Sequence, residues 1–295
     1  MFKISDSIHI KQPKTHREQL EILKKRNLTI TNEKDALSFL ERVNYYRFSA
    51  YGLTLKKQDG TGEFKNDVTF EHMQMIYNFD KKLREILLYY LESIEIEFRT
   101  KIAYYHSHDF GALGYKEPKY FKNSKFHAKF LANLYKGINR ADKELFVIHH
   151  KAKYNGVFPF WVAVEVMSFG DLSKLFHNLL RTSKIKVIKD IQAPPNLVSS
   201  WLHSLSYIRN VCAHYGRLYG KDLNIKPQLN IKLTKGYFDN GRVFSTIFAL
   251  NKLLHQKDQE NFISSLETLI KGYSDYINLE EIGFPEKWVN ILKTF

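Results

Sequence analysis

A chain of 295 residues with 44% hydrophobic side chains is long enough to bury a substantial core and too apolar to be disordered. Its formal charge of +14, with 18 Tyr and 22 Phe, suits a polyanionic partner whose phosphates meet cations and whose bases meet aromatic rings. A single cysteine, Cys212, excludes an intrachain disulfide and a thiolate zinc cluster.

No apolar stretch near the N-terminus reads as a signal peptide. The most apolar segment, residues 157–170, is too short for a bilayer and carries Glu165, so the expected compartment is the cytoplasm, with no membrane partner. Glycine and proline are scarce, which favours long helices over a many-turned β fold.

In chain order, residues 1–66 read as an accessory helical region. A helix is predicted over 15–26 and a second after the capping signal Thr31-Asn32, with Ala36, Phe39, Leu40 and Val43 on its apolar face. Residues 58–62, with Gly60 and Gly62, form a turn. The main domain is predicted over 67–295. It opens with the strongest helix signal, from about residue 67 or 69 to 106, where Met73, Ile76, Leu83, Leu87, Tyr90, Ile94, Phe98 and Ile102 recur at threes and fours. After an irregular stretch, helices are expected at 124–139, 142–153, 160–168, 171–181 and near 184–191. Pro194-Pro195 then opens a helix over 196–215 with Val198, Trp201, Leu205, Ile208 and Cys212 as its stripe. A loop with a short hairpin around 231–238 precedes two last helices at 243–256 and 259–277. The fold class is all-α.

The stretch that carries chemistry is Ser206 to Tyr215. Residues four apart share a helix face, so Ser206, Asn210 and His214 form a polar stripe. Arg209 lies roughly 140° from His214 on an ideal helix, with a side chain long enough to reach the same cavity. RNA cleavage needs little more: a 2′-hydroxyl nucleophile from the substrate, a histidine that exchanges protons near neutrality, and a guanidinium for the phosphate charge. Asn210 can orient the imidazole. No cofactor and no metal are expected, since His149-His150 and His106-x-His108 lack a partner set for zinc. The same side chains can instead satisfy one another and the helix end, as a purely structural group.

The segment Arg209–Tyr215 resembles the Arg-x4–6-His motif of HEPN domains, in the form with Asn after Arg. Asn44–Tyr51, Phe79–Arg84, Ile94–Arg99, Phe169–Ser173 and Arg209–His214 together resemble, in order, the Abi-like abortive-infection family, the AbiD/AbiF group. The resemblance implies a HEPN-like helical bundle with an N-terminal helical extension, metal-independent endoribonuclease chemistry and a toxin-like role in phage defence. For some members it further implies a structured non-coding RNA as a partner.

Glu95 and Arg99 are an i,i+4 pair, and His106 follows on nearly the same face. Arg99-x6-His106 fits the loose motif spacing, and these residues, with Ser206 and Tyr215, are expected to support Arg209 and His214 rather than to act directly. Residues 115–140 are a basic-aromatic tract in which Lys116, Lys119, Lys122, Lys125, Lys129 and Arg140 are the expected RNA contacts, with Arg47 as a further one. One histidine per motif predicts a homodimer that brings two copies face to face; a monomer completed by Arg99 and His106 is the alternative. Against the ribonuclease stand a non-catalytic RNA-binding scaffold and a protein-interaction module.

Overall fold

The computed structural model of the protein describes residues 11–230, 234 and 236–294. Among them every regular element is an α-helix or a 3-10 turn, and β pairing is limited to the isolated bridges Thr29–Thr69, Lys56–Phe64 and Phe121–Leu179. The chain forms two compact units, one made of residues up to Phe79 with Asp275–Ile277, the other of Asp80–Ser274 with the chain from Asn278 onward.

The first unit holds α1 (His16–Lys24), α2 (Glu33–Arg42) and α3 (Tyr45–Ser49). Thr15 and Glu18 close a capping box at the start of α1, and Asn32 caps α2 by accepting from the Asp35 amide. The apolar faces of these helices, Leu20, Leu23, Ala36, Leu40 and Phe48, pack with Phe64, Phe70 and Met73. Phe39 meets Phe48, Phe70 and Tyr77 edge-on at 4.8, 5.8 and 5.6 Å, a geometry that aligns ring edges with ring faces. Phe48 and Tyr51 point inward, while Tyr46 and Arg47 are exposed.

Helix α4 (Phe70–Phe110) passes from the first unit into the second. The second unit continues with α5 (Ser124–Arg140), α6 (Leu145–Lys153), α7 (Phe160–Ala163), α8 (Phe169–Asn178), α9 (Arg181–Val187), α10 (Pro195–Ala213), α11 (Val243–Leu253), α12 (Gln256–Gly272) and α13 (Trp288–Thr294). Its centre is α10, which packs on α8 and α11. The stripe of Val198, Trp201, Leu205, Ile208 and Cys212 is buried. Each such large apolar side chain contributes about 1.5–3 kcal/mol on leaving water.

The stretch 160–168, expected as one helix, ends at Ala163 and passes through a 3-10 turn. The reason is local: the Ser168 hydroxyl accepts from the Asp171 amide and caps a new helix, α8. The short helices α3 and α13 lie outside the expected set. The hairpin expected around 231–238 falls in part on residues 231–233 and 235, outside the described residues, as do residues 1–10.

Candidate functional site

Helix α10 starts with Pro195, whose missing N–H costs nothing in the first turn. How it stops determines the site. His214 is its last, half-helical residue, and Tyr215 turns into the left-handed region with φ 58°. The Tyr215 amide donates to the Cys212 carbonyl at 3.0 Å and the Gly216 amide to Val211 at 2.7 Å. These are the paired bonds of a Schellman turn, with tyrosine where glycine is usual. Gly216 must stay small, because a Cβ there would stand 2.8 Å from Val211 Cγ1 and 3.0 Å from the Val211 carbonyl oxygen.

The chain beyond the turn is held by α4. Asp80 is fully buried, and its Oδ1 accepts from the Leu218 and Tyr219 amides at 3.1 and 2.9 Å. Arg84, one turn on, pairs with Asp80 and donates to the Gly216 carbonyl at 3.3 Å. A buried carboxylate is tolerated only when its charge and lone pairs are met, and here two backbone N–H groups and a guanidinium do so. This pair ties Gly216, Leu218 and Tyr219, just past the end of α10, to α4. Both residues lie in a stretch that carries the family resemblance, but their role was not legible: their partners are backbone amides 138 and 139 positions away.

Further along α4, Glu95 bridges two arginines. Its carboxylate takes Arg99 at 2.8 Å and Arg209 of α10 at 3.4 Å. Arg99 also donates to the Met167 carbonyl at 2.9 Å and pairs with Glu165 at 3.4 Å. Arg209 in turn donates to the Asn210 side-chain oxygen at 3.3 Å. The result is a continuous chain of charge-assisted contacts from the turn before α8 to the end of α10. Glu95 is nearly buried, whereas the Arg209 side chain keeps 37% of its surface open to solvent. Asn210, His214 and Tyr215 are exposed beside it. The His214 ring has no hydrogen-bond or ion-pair partner among the described residues, so both nitrogens are open to a ligand.

The structure thus brings together Arg209, Asn210, Glu95 and Arg99, with His214 at the adjoining helix end. Two expected residues stand elsewhere. Ser206 is buried and donates to the His203 carbonyl at 2.9 Å, the ordinary back-bond of a helical serine. His106 is sealed among Phe110, Phe121 and Phe160, with ring centroids 4.9, 5.1 and 5.3 Å away. Burial pushes its pKa down to about 4, so it stays neutral and away from solvent. Burial likewise pushes the Cys212 thiol up to about 12, which leaves it unreactive in the core of α10.

The basic tract divides. Lys116 and Lys119 lie over the rings of Tyr115 and Tyr120 at 5.9 and 5.1 Å. Lys125 and Arg140 are exposed on α5, and Arg47 is exposed on α3. Lys122 and Lys129 line a cavity whose other basic residues, Lys174, Arg181 and Lys184, lie outside the tract. Among the described residues no three His, Cys, Asp or Glu side chains gather in a metal-binding group, and no helix is long and apolar enough to cross a membrane.

The family described as Abi-like protein matches residues 38–220, a span that includes both the Asp80–Arg84 clamp and the Arg209–His214 turn. The chain belongs to the Abi-like family. No curated protein and no solved structure matches it.

Proposed function

We propose that this Abi-like protein is a metal-independent endoribonuclease, acting as a toxin-like effector of abortive infection against phage. The observation that carries the reading is one pairing: Arg209 held at a set position by Glu95, next to an exposed His214 whose ring has no partner among the described residues. In the step this pair suits, the 2′-oxygen of RNA attacks the neighbouring phosphorus and the bond to the 5′-oxygen breaks. The products are a 2′,3′-cyclic phosphate and a 5′-hydroxyl. His214 exchanges the proton of the attacking or the leaving oxygen. Arg209 neutralises charge growing on the non-bridging oxygens, and Glu95 and Asn210 keep its guanidinium from swinging away. A two-fold homodimer facing its motifs together supplies a second histidine, so that one accepts a proton while the other donates.

The test is incubation of wild-type and His214→Ala protein with mixed RNA in EDTA, with analysis of the new ends. Cyclic-phosphate ends from wild type alone are expected, with activity reduced at least about 100-fold in the variant. Equal cleavage by His214→Ala overturns the assignment. Cleavage by neither protein, with RNA still bound, leaves the non-catalytic scaffold as the correct reading.

A further inference from the structure

The cavity that takes in Lys122 and Lys129 lies in the second unit between α5, α8, α9 and α10 and measures about 1130 Å³. Small-molecule pockets usually span about 300–1,000 Å³, so this one has room for an extended ligand. Five basic side chains line it, Lys122, Lys129, Lys174, Arg181 and Lys184, against one acid, Asp171. Asp171 is already engaged, accepting from the Ser168 hydroxyl at 2.7 Å and from Asn133 at 2.8 Å. None of the five cations forms an ion pair among the described residues. Two histidines, His177 and His203, share the wall.

These groups crowd one another. Lys184 is held below the usual lysine range by burial and then by the charge of Lys122. His177 is lowered by burial, then by Lys184, Lys122 and His203. Each positive charge therefore makes the next harder to keep, and an anion lodged among them relieves all at once. The Ser199 hydroxyl lines the same cavity, in a residue 7% exposed, and has no hydrogen-bond partner among the described residues. A buried orphan hydroxyl of this kind is normally satisfied by something. Besides polar side chains such as Asn133, Asn196 and Gln228, the lining offers apolar surface: Phe126, 56% exposed, with Pro194, Pro195 and the buried Phe130. A free anion has no use for such surfaces, whereas unpaired bases stack on them.

We propose that this cleft is a binding site for a single-stranded segment of RNA, with its phosphates among Lys122, Lys129, Lys184, His177 and His203 and a base stacked on Phe126. The cleft also has a direction. His203 and His214 are eleven residues apart, about three turns, so they share one face of α10 about 16 Å from each other. On the nuclease reading above, a strand seated in the cleft reaches His214 a few nucleotides further on. The binding itself does not depend on that reading.

The test uses full-length His214→Ala protein, so that RNA stays whole, and a fluorescein-labelled twelve-nucleotide oligouridine followed by anisotropy across a salt series. Adding Lys122→Ala and Lys129→Ala, both exposed, is expected to weaken binding by at least about tenfold. The log–log salt slope should fall by about 1.4, at about 0.7 for each single-strand phosphate that a lysine no longer neutralises. Removing the same charge at Lys116 and Lys119, outside the cleft, is expected to matter much less. Phe126→Ala should weaken binding by roughly five- to a hundredfold with the slope unchanged, since stacking releases no counterions. Inorganic phosphate or uridine monophosphate at the concentration of competing oligouridine should not displace the probe, and an RNA duplex should bind more weakly. Unchanged affinity and slope in a folded Lys122/Lys129 variant overturns the proposal. So does equal competition by phosphate or the mononucleotide, which marks a free-anion site, or equal binding of duplex with no effect of Phe126→Ala. Wild type that binds through the cleft yet cuts nothing overturns the nuclease alone; His214-dependent cutting untouched by cleft variants overturns the cleft alone.

Discussion

Replacing Asp80 with asparagine keeps the side chain's shape and removes its charge. In the native fold its carboxylate faces Arg84 and two backbone amides, at Leu218 and Tyr219, with none of it exposed. Asparagine retains one acceptor oxygen but must aim its NH2 group at a cation or at another N–H. Arg84, itself buried, loses the carboxylate it pairs with. Breaking a buried ion pair from one side costs about 3–5 kcal/mol. In a unit of roughly 200 residues each kcal/mol moves Tm by about 2–4 °C, so Asp80→Asn is expected to lower Tm by roughly 6–20 °C. Differential scanning calorimetry measures this, with Glu92→Gln on an exposed turn of α4 as the control, expected within about 0.5 kcal/mol of wild type. Amide hydrogen exchange supplies the local reading: the Leu218 and Tyr219 amides should exchange faster in Asp80→Asn than the rest of the unit. A Tm within about 1 °C of wild type, together with unchanged exchange at those two amides, refutes the clamp.

Two further expectations concern stability. His106 titrates at about 4 instead of 6.5 because it is buried, so an unfolded chain takes up a proton that the fold refuses as pH falls through that window. Stability should drop by about 3 kcal/mol between pH 7 and 4 on this account, and His106→Phe should flatten that limb in denaturant titrations; an identical acid slope in the variant removes the assignment. Gly216→Ala places a methyl 2.8 Å from Val211 Cγ1, so it should cost about 1–3 kcal/mol by overpacking, seen as a lower denaturation midpoint at unchanged slope.

The long periodic helices were legible because a 3.6-residue repeat of buried side chains leaves a direct mark on the sequence. The apolar stripe of α10 is an example, with Val198 to Cys212 buried as spaced. Boundaries set by a single cap were less so. The break between α7 and α8 was expected, but not its place: Ser168 accepts from the Asp171 amide, so α8 starts at Phe169 rather than 171, and the stretch before it leaves the helix at Ala163 rather than 168. The Arg209–His214 stretch stood out through its resemblance, and the Glu95–Arg99 spacing pointed to a pair. Support of Arg209 by this pair was expected, but that Glu95 rather than Arg99 makes the contact is seen only in the fold. The cleft was half visible: Lys122 and Lys129 sit in a basic tract, whereas Lys174, Lys184 and His203 are scattered along three other helices and meet only in the fold.

The burial of Cys212 has a practical meaning for the helix end beside it. A thiol-reactive probe cannot reach this sulfur in the closed state, where the group also stays protonated. Labelling therefore proceeds only when the last turn of α10 lifts from the core, two residues before His214. As the protein carries no other cysteine, the rate of modification of the whole chain is the opening rate, or opening equilibrium, of that one turn. The unmodified molecule thus contains its own reporter of how firmly the end bearing His214 is held, readable by mass spectrometry with and without bound RNA.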